Sequence, residues 1–207
     1  MLTVGPVQEN CFIARSDGSD RAVIVDPGEE APRLLEAIAG LELEAILLTH
    51  THFDHVGAVA PLARATGAPV YCPRMEVPVL QDVMAFVPWP GFGPFESWDP
   101  EHTVQGGETL ELAGMTFDVI FTPGHSPGHV TYAARGEAVL FSGDVLFEGS
   151  VGRVDLPGGD WPTLARSIAT LLERYDDDTT VYPGHLGITT LGAERATNPF
   201  LAELSSR

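Results

Sequence analysis

Short apolar runs separated by turn residues occur along most of the chain and predict β-strands. They cover residues 2–4, 11–14, 22–26 and 46–48, and later 108–112, 116–121, 129–134 and 138–141. Helical spacing of apolar residues is found at Pro32–Ile38, Val56–Thr66 and Trp161–Tyr175, the last with Asp160 as its expected N-cap. No linker or low-complexity tract divides these elements, so we expect a single domain over residues 1–207.

One stretch between the two sets of strands has no regular pattern. Residues 86–98 carry five aromatic side chains among prolines and glycines that exclude helix and strand. Because exposing so many aromatic rings to water is unfavourable, two interpretations stay open for this 85–100 loop. Its rings pack onto the core, or they form a flap that grips an apolar part of a ligand.

The segment Thr49-His50-Thr51-His52-Phe53-Asp54-His55 follows an apolar strand and predicts a metal site. Imidazole nitrogens combined with a carboxylate suit zinc, iron or manganese. Residues two apart in a strand share a face, so His50 and His52 can reach one ion. Asp54 and His55 come after the chain has turned and are expected to serve a second ion. Each ion would need further ligands from elsewhere in the chain.

Three later segments each end a predicted strand with a potential ligand. His125 follows the strand that ends at Phe121, Asp144 follows residues 139–143, and His185 follows residues 179–184. Ligands of such sheets bind beyond the carboxyl ends of the strands. We therefore expect these three side chains to meet the 50–55 cluster at one rim.

These motifs, in this order, resemble the metallo-β-lactamase superfamily, and its glyoxalase II-like branch in particular, over nearly the whole chain. They are Val25-Asp26-Pro27-Gly28, the 50–55 cluster, Pro123-Gly124-His125-Ser126-Pro127-Gly128-His129, Ser142-Gly143-Asp144 and Pro183-Gly184-His185. The resemblance implies an α/β fold, α+β in some schemes: a four-layer αββα sandwich of two mixed sheets flanked by helices. It also implies two divalent ions per chain, zinc or iron with manganese as a further candidate. His50, His52 and His125 would bind one ion, Asp54, His55 and His185 the other, and Asp144 would bridge them.

The reaction expected of such a centre is hydrolysis of a small acyl thiolester such as S-lactoylglutathione. Two close divalent ions lower the pKa of a bound water and polarise a carbonyl. Asp54, the expected catalytic residue, would orient this nucleophile through its free carboxylate oxygen. A thiolester suits the site because a thiolate leaves without strong acid assistance, and no general acid stands among the motifs.

Three further residues are candidates for supporting or substrate-binding roles. Asp26 could hydrogen-bond the histidine segment and fix a tautomer, or be a turn aspartate. His129 lies within a ligand motif but is expected to be a structural histidine. Arg153 falls where glyoxalase II carries a basic residue that contacts glutathione, and it could bind a carboxylate with two hydrogen bonds. Alternatively, it is a surface arginine paired with Asp155 or Asp160.

Departures from glyoxalase II leave glutathione binding open. Asp155 stands where that family has a tyrosine, and Leu186-Gly187 follow the last histidine where it has a second tyrosine. We also expect no C-terminal helical domain of the kind that carries further glutathione contacts. Residues 149–160 and 189–200 resemble short, single-domain bacterial glyoxalase II-like proteins instead.

Charge and composition restrict the partners. The net charge is −18, from 29 acidic and 11 basic residues, and no basic run could neutralise phosphates, so we expect no nucleic-acid partner. No run is long enough for a membrane helix and residues 1–11 lack a signal pattern, so we expect no membrane partner and a cytoplasmic location. Cys11 and Cys72 are expected as buried or free thiols. The chain is expected to be a monomer or a homodimer.

Two other functions remain open at this point. Persulfide dioxygenases share the fold and most ligands but use one iron, so oxygen uptake and metal content would distinguish them. A non-catalytic metal-binding module on the same scaffold is the second, and the complete set of ligands argues against it.

Overall fold

Two six-stranded sheets pack face to face in the computed structural model, which describes residues 1–204, with side chains through residue 202. The first sheet contains, in spatial order, β1 (Leu2–Val4), β2 (Glu9–Ala14), β3 (Arg21–Val25), β4 (Glu42–Leu47), β5 (Val70–Pro73) and β6 (His102–Val104). β1 to β3 are antiparallel neighbours and β3 to β6 are parallel ones. The sheet is therefore mixed, as expected.

The second sheet is mixed as well. Its strands and a small hairpin are, in chain order, β7 (Thr109–Leu112), β8 (Met115–Phe121), β9 (Val130–Ala134), β10 (Val139–Gly143), the hairpin β11 (Leu146–Phe147) and β12 (Ser150–Val151), β13 (Thr180–Pro183) and β14 (Thr189–Thr190). The spatial order is β14-β13-β10-β9-β8-β7. β10 pairs with β13 in parallel and β9 runs opposite to β8 and β10, so β8, β10 and β13 end at the same edge.

Helices cover the outer faces of both sheets. They are α1 (Ala31–Ala37), α2 (Phe53–Val56), α3 (Val59–Thr66), α4 (Val77–Leu80), α5 (Trp161–Arg174), α6 (Leu191–Thr197) and α7 (Pro199–Leu204), with 3-10 turns at Arg74–Glu76 and Val83–Phe86. α5 is capped as predicted, since the Asp160 carboxylate accepts a hydrogen bond from the Thr163 N–H at 2.9 Å. No helix within residues 1–204 is long and apolar enough to cross a membrane.

Alternation of side chains along the central strands produces the layers. In β4, Ala45 and Leu47 pack between the sheets, while Ile46 packs outward against α1 and α3. In β10, Phe141 points between the sheets and Leu140 outward against α5. A strand that is buried on both faces has apolar residues at successive positions, so its sequence is a continuous apolar run. The αββα sandwich is thus confirmed, with one core between the sheets and one beneath each helical layer. Cys11 and Cys72 are buried free thiols, as predicted.

The helix predicted over Val56–Thr66 is wrong at its start. A first helical turn, α2, already includes Asp54 and His55, and α3 begins only at Val59. The chain bends at Gly57, where a side chain would overlap the carbonyl oxygen of Gly28. The metal-binding segment therefore continues into a helical turn instead of ending before a helix.

Candidate metal centre

The seven predicted ligands meet at the edge where the carboxyl ends of β4, β8, β10 and β13 come together. Backbone hydrogen bonds join the sheets there: the Val130 N–H donates to the Thr49 carbonyl at 2.9 Å, and the Asn10 N–H donates to the Gly184 carbonyl at 2.7 Å. Gly184 must lack a side chain because a Cβ would overlap an Asp144 carboxylate oxygen. The backbone at this edge is therefore fixed by pairing between the sheets.

Three imidazoles form the first group of ligands. The Nε2 atoms of His50 and His125 lie 3.2 Å apart, and the Nδ1 atom of His52 lies 3.1 Å from the former and 2.8 Å from the latter. A tetrahedral zinc ion with Zn–N bonds of 2.0–2.1 Å separates its nitrogen ligands by about 3.3 Å. The three nitrogens are thus spaced as ligands of one ion.

Hydrogen bonds on the far sides of these rings direct lone pairs at that ion position. His125 Nδ1 donates to the Arg153 carbonyl at 2.8 Å, which leaves Nε2 without a proton in the neutral ring. His50 Nδ1 lies 3.1 Å from the Thr49 hydroxyl, whose proton is given to Asp26, so His50 Nε2 is unprotonated as well. Burial lowers the pKa of His50, and burial together with His125 lowers that of His52 to about 4. Facing lone pairs repel each other, and a cation resolves that repulsion.

The second group contains two histidines and two carboxylates. His185 Nε2 lies 3.2 Å and His55 Nε2 3.8 Å from Asp54 Oδ2. The Asp144 carboxylate lies between the two groups, with Oδ1 3.4 Å from His55 Nε2 and Oδ2 3.3 Å from His125 Nε2. His55 Nε2 and Asp144 Oδ1 are buried and make no hydrogen bond within the described part of the chain. These atoms fit a second ion, with Asp144 in contact with both.

The two groups differ in charge. Burial lowers the pKa of His55, but the Asp144 and Asp54 carboxylates outweigh it and raise the pKa well above its usual value. Burial and the Asp144 carboxylate have the same opposing effects on His185, whose pKa is also raised. Burial raises the pKa of Asp144, but the surrounding histidines lower it overall. Without ions, the carboxylates therefore favour protonation of His55 and His185, whereas burial disfavours protonation of His50 and His52.

Asp26 is hydrogen-bonded to His55 of the second group and, through Thr49, is linked to His50 of the first. Its Oδ1 accepts a hydrogen bond from the Thr49 N–H at 2.7 Å, and its Oδ2 accepts from the Thr49 hydroxyl at 2.6 Å and from His55 Nδ1 at 3.1 Å. Asp26, His50 and His55 are also close enough together to hold an ion. Because both Asp26 oxygens already accept hydrogen bonds, we assign Asp26 to holding the tautomers of the two histidines.

His129 has both ring nitrogens occupied by other partners. Its Nδ1 lies 3.0 Å from the Thr122 hydroxyl, and its Nε2 accepts a hydrogen bond from the Asp144 N–H at 3.1 Å. Burial lowers its pKa well below the usual value. The structural role favoured from the sequence fits this arrangement, in which His129 positions the backbone of Asp144.

Two buried glutamates at the site were missed by the sequence analysis. Glu76 accepts hydrogen bonds from the Thr51 hydroxyl at 2.8 Å and from the Ser126 hydroxyl and Gly128 N–H at 2.7 Å each, so it ties the two histidine segments together. Glu9 lies 3.8 Å from His55 Nδ1, and burial raises its pKa. Glu9 is the first residue of β2 and precedes the strand predicted at residues 11–14, so no pattern in the sequence marks either glutamate.

A cavity of about 740 Å³ opens onto the ligands from the side of the 85–100 loop. Phe86, Val87, Pro88 and Trp89 line it, whereas Phe92, Phe95 and Trp98 pack against the core, two of them on Phe53. The core-packing interpretation is therefore confirmed for Phe92, Phe95 and Trp98. The flap interpretation stays a prediction, and it applies to residues 86–89, which line the cavity.

Arg153 also lines the cavity, and its side chain is engaged on two sides. Its Nε and Nη2 each donate to the Asp155 carboxylate at 2.7 Å, which is one of the pairings considered from the sequence. Its guanidinium lies 5.4 Å from the centre of the Trp89 ring. Binding of substrate by Arg153 stays a prediction.

Curated relatives match the chain over almost its full length. Hydroxyacylglutathione hydrolase GloC of Haemophilus influenzae is 38% identical over 210 residues, which cover 97% of this chain and 96% of that protein. The probable metallo-hydrolase YqgX of Bacillus subtilis is 37% identical over 207 residues, covering 97% and 95%.

Solved structures agree with this fold. BLEG-1 B3 metallo-beta-lactamase superposes with a TM-score of 0.90 at 41% identity, covering 96% of this chain and 97% of that one. TTHA1623, crystallised in a di-iron-bound form, superposes with a TM-score of 0.86 at 44% identity, covering 97% and 98%. The sequence model of the metallo-beta-lactamase superfamily matches residues 4–185. The chain belongs to the metallo-beta-lactamase superfamily, whose members are typically metal-dependent hydrolases.

Proposed function

We propose that the protein is a hydrolase with two metal ions that cleaves acyl thiolesters, with S-lactoylglutathione as the reference substrate. The observation that carries the proposal is the Asp144 carboxylate, buried between two complete ligand groups and in contact with both. The similarity to a hydroxyacylglutathione hydrolase and to a di-iron protein supports the substrate class and the number of ions. We propose zinc or iron as the metal.

Different residues of the chain would contribute to different parts of the reaction. Two divalent ions in these groups would lower the pKa of water and polarise the substrate carbonyl. Asp54, 14% exposed toward the cavity, would accept a hydrogen bond from the attacking water through a carboxylate oxygen and orient it. Asp26 would keep the ligand tautomers fixed while charge develops.

The overall reaction balances without a further reactant. Water adds its oxygen to the acyl carbon, the carbon–sulfur bond breaks, and the products are a carboxylic acid and a thiol. Apart from the candidate ligands, the cavity lining that the structure describes offers no side chain placed as a general acid for the leaving group. A thiolate is a good enough leaving group to depart without one, whereas an amine or alkoxide is not, so a thiolester fits the site better than an amide.

The proposal is tested with His52→Ala and Asp144→Ala in metal-loaded protein. Each variant should lose thiolester hydrolysis by at least about a hundredfold, because each removes a ligand. His102→Ala is the matched control, since His102 is exposed on β6 and stacks on Tyr71. Circular dichroism checks that the variants fold. Retained hydrolysis and two bound ions in Asp144→Ala would refute the bridged arrangement.

A further inference from the structure

Few charged side chains in the cavity lining are available to bind a substrate. Asp54 and Asp144 belong to the candidate metal centre, and Glu76 is saturated by three hydrogen bonds. Arg153 is the one arginine among the described lining residues. Recognition of an anionic substrate away from the metal centre would therefore depend on Arg153.

Arg153 has one of its carboxylate-binding edges occupied within the chain. The edge formed by Nε and Nη2, which can bind a carboxylate with two hydrogen bonds, is bound to Asp155. The same hydrogen bond lowers the pKa of Asp155 to about 2, so Asp155 carries its negative charge at any ordinary assay pH. The Trp89 ring lies over the guanidinium and restrains it further. A second carboxylate would meet a neutralised arginine and the charge of Asp155.

The rest of the wall is apolar, and part of it is exposed. Met75 is 60% exposed, Phe86 55% and Trp89 39%, although all three are large apolar side chains. Val151 and Leu156 line the cavity as well. Exposed apolar side chains gathered around a cavity mark a binding surface for an apolar ligand.

We propose that the site selects thiolesters whose groups in contact with this wall are apolar and carry no carboxylate. Asp155 sets this preference by occupying the Nε–Nη2 edge of Arg153 and by neutralising its charge. The inference rests on the proposed thiolesterase function and narrows its substrate class: glutathione thiolesters such as S-lactoylglutathione should be cleaved less efficiently than neutral thiolesters. Asp155 acts through Arg153 and is a specificity-determining residue.

The test compares two pairs of thiolesters. S-hexanoylglutathione and S-hexanoyl-N-acetylcysteamine share the acyl group but differ in the size and charge of the thiol, so the effect of the carboxylates is read from the change that Asp155→Ala makes in their ratio. The acetyl and hexanoyl thiolesters of N-acetylcysteamine differ only in apolar length. Wild-type protein should have the higher kcat/KM for the neutral member of the first pair and for the longer member of the second. Burial of one methylene group raises kcat/KM by up to about fourfold. The hexanoyl group has four more methylenes than the acetyl group, so their partial burial should raise kcat/KM by about tenfold or more.

Asp155→Ala should raise the glutathione-to-neutral ratio of kcat/KM by about three- to fivefold, the effect of one exposed ion pair gained. Adding Arg153→Ala in the same protein should reverse the gain. Asp177→Ala is the matched control, because Asp177 pairs with Arg195 at 2.9 Å outside the cavity lining and its side chain is 66% exposed, as is that of Asp155. The control should leave the ratio unchanged.

Binding measurements keep this inference separate from the proposed function. S-hexylglutathione and S-hexyl-N-acetylcysteamine are thioethers that cannot be hydrolysed, and calorimetry gives their affinities for metal-loaded protein. Suppose that no thiolester is cleaved, that the neutral thioether binds more tightly than S-hexylglutathione, and that Asp155→Ala reduces this difference in affinity. The proposed function then fails, and the inference about ligand selection stands. A wild-type preference for the glutathione compounds that Asp155→Ala leaves unchanged would overturn the inference.

Discussion

Replacing Asp26 by asparagine is expected to disturb both metal positions by reversing the direction of a hydrogen-bond relay. In the wild-type protein Asp26 only accepts, so Thr49 and His55 Nδ1 must donate to it, and His50 Nδ1 must donate to Thr49. An asparagine amide facing His55 would donate instead. His55 Nδ1 would then accept, and its proton would move to Nε2, the atom directed at the second ion.

The size of the expected loss in metal affinity follows from the number of hydrogen bonds that the substitution changes. In Asp26→Asn the amide oxygen can keep the bond from the Thr49 N–H, but the amide nitrogen cannot accept the two hydrogen bonds that Asp26 Oδ2 accepts, at 2.6 and 3.1 Å. Loss of such a partner lowers metal affinity by about 10- to 100-fold, or about 1.4–2.8 kcal/mol. Backbone strain adds nothing, because residue 26 has a φ of 48° and asparagine tolerates that region.

The assay is competition for zinc against a chelator of known affinity, combined with thiolester hydrolysis at saturating zinc. Thr49→Val removes the hydroxyl that links Asp26 to His50 but leaves the contact between Asp26 and His55, so it should weaken the first position more than the second. Asp177→Asn serves as the control for loss of an exposed carboxylate. Unchanged zinc affinity and unchanged hydrolysis in a folded Asp26→Asn protein would refute the relay.

Two further predictions concern stability and pH. Glu76→Ala removes the acceptor of three hydrogen bonds in a buried position, and we expect a loss of about 3–5 kcal/mol in unfolding free energy, measured with urea; a loss below about 1 kcal/mol would contradict this. On acidification from pH 7 to 5, the ion held by His55 and His185 should leave first, because their raised pKa values make protons compete with it. His52, with a pKa of about 4, should hold its ion to lower pH. Metal content after dialysis at each pH checks the order, and simultaneous loss of both ions would contradict it.

The ligand positions could be predicted from the sequence because they follow from strand periodicity. His125, Asp144 and His185 each stand at the end of an apolar strand, and parallel strands bring their carboxyl ends to one edge. The one further fact needed to place these residues together was the order of the strands in the sheet. The layers of the fold were implied by the resemblance to the superfamily, and the apolar runs along the strands agree with them.

Other features depend on contacts between distant segments and leave no local pattern. Glu76 is buried because residues 126–128 fold over it, yet its neighbours Arg74 and Met75 are exposed, so the sequence gives no periodicity to detect. The strands β5 and β6 are short and were not predicted, since pairing with the sheet outweighs their weak local preference. The packing of Phe92 and Phe95 onto the core likewise depends on Phe53, which only the fold brings near.

The central claim, a thiolesterase with two ions, is tested most directly by metal analysis of purified protein coupled to a panel of thiolester and persulfide substrates. We predict two divalent ions per chain, hydrolysis of thiolesters, and loss and recovery of that activity when the ions are removed and restored. One iron per chain with oxygen uptake on glutathione persulfide would contradict the claim in favour of an oxygenase. A fully metal-loaded protein inactive on the whole panel would contradict it in favour of a binding module.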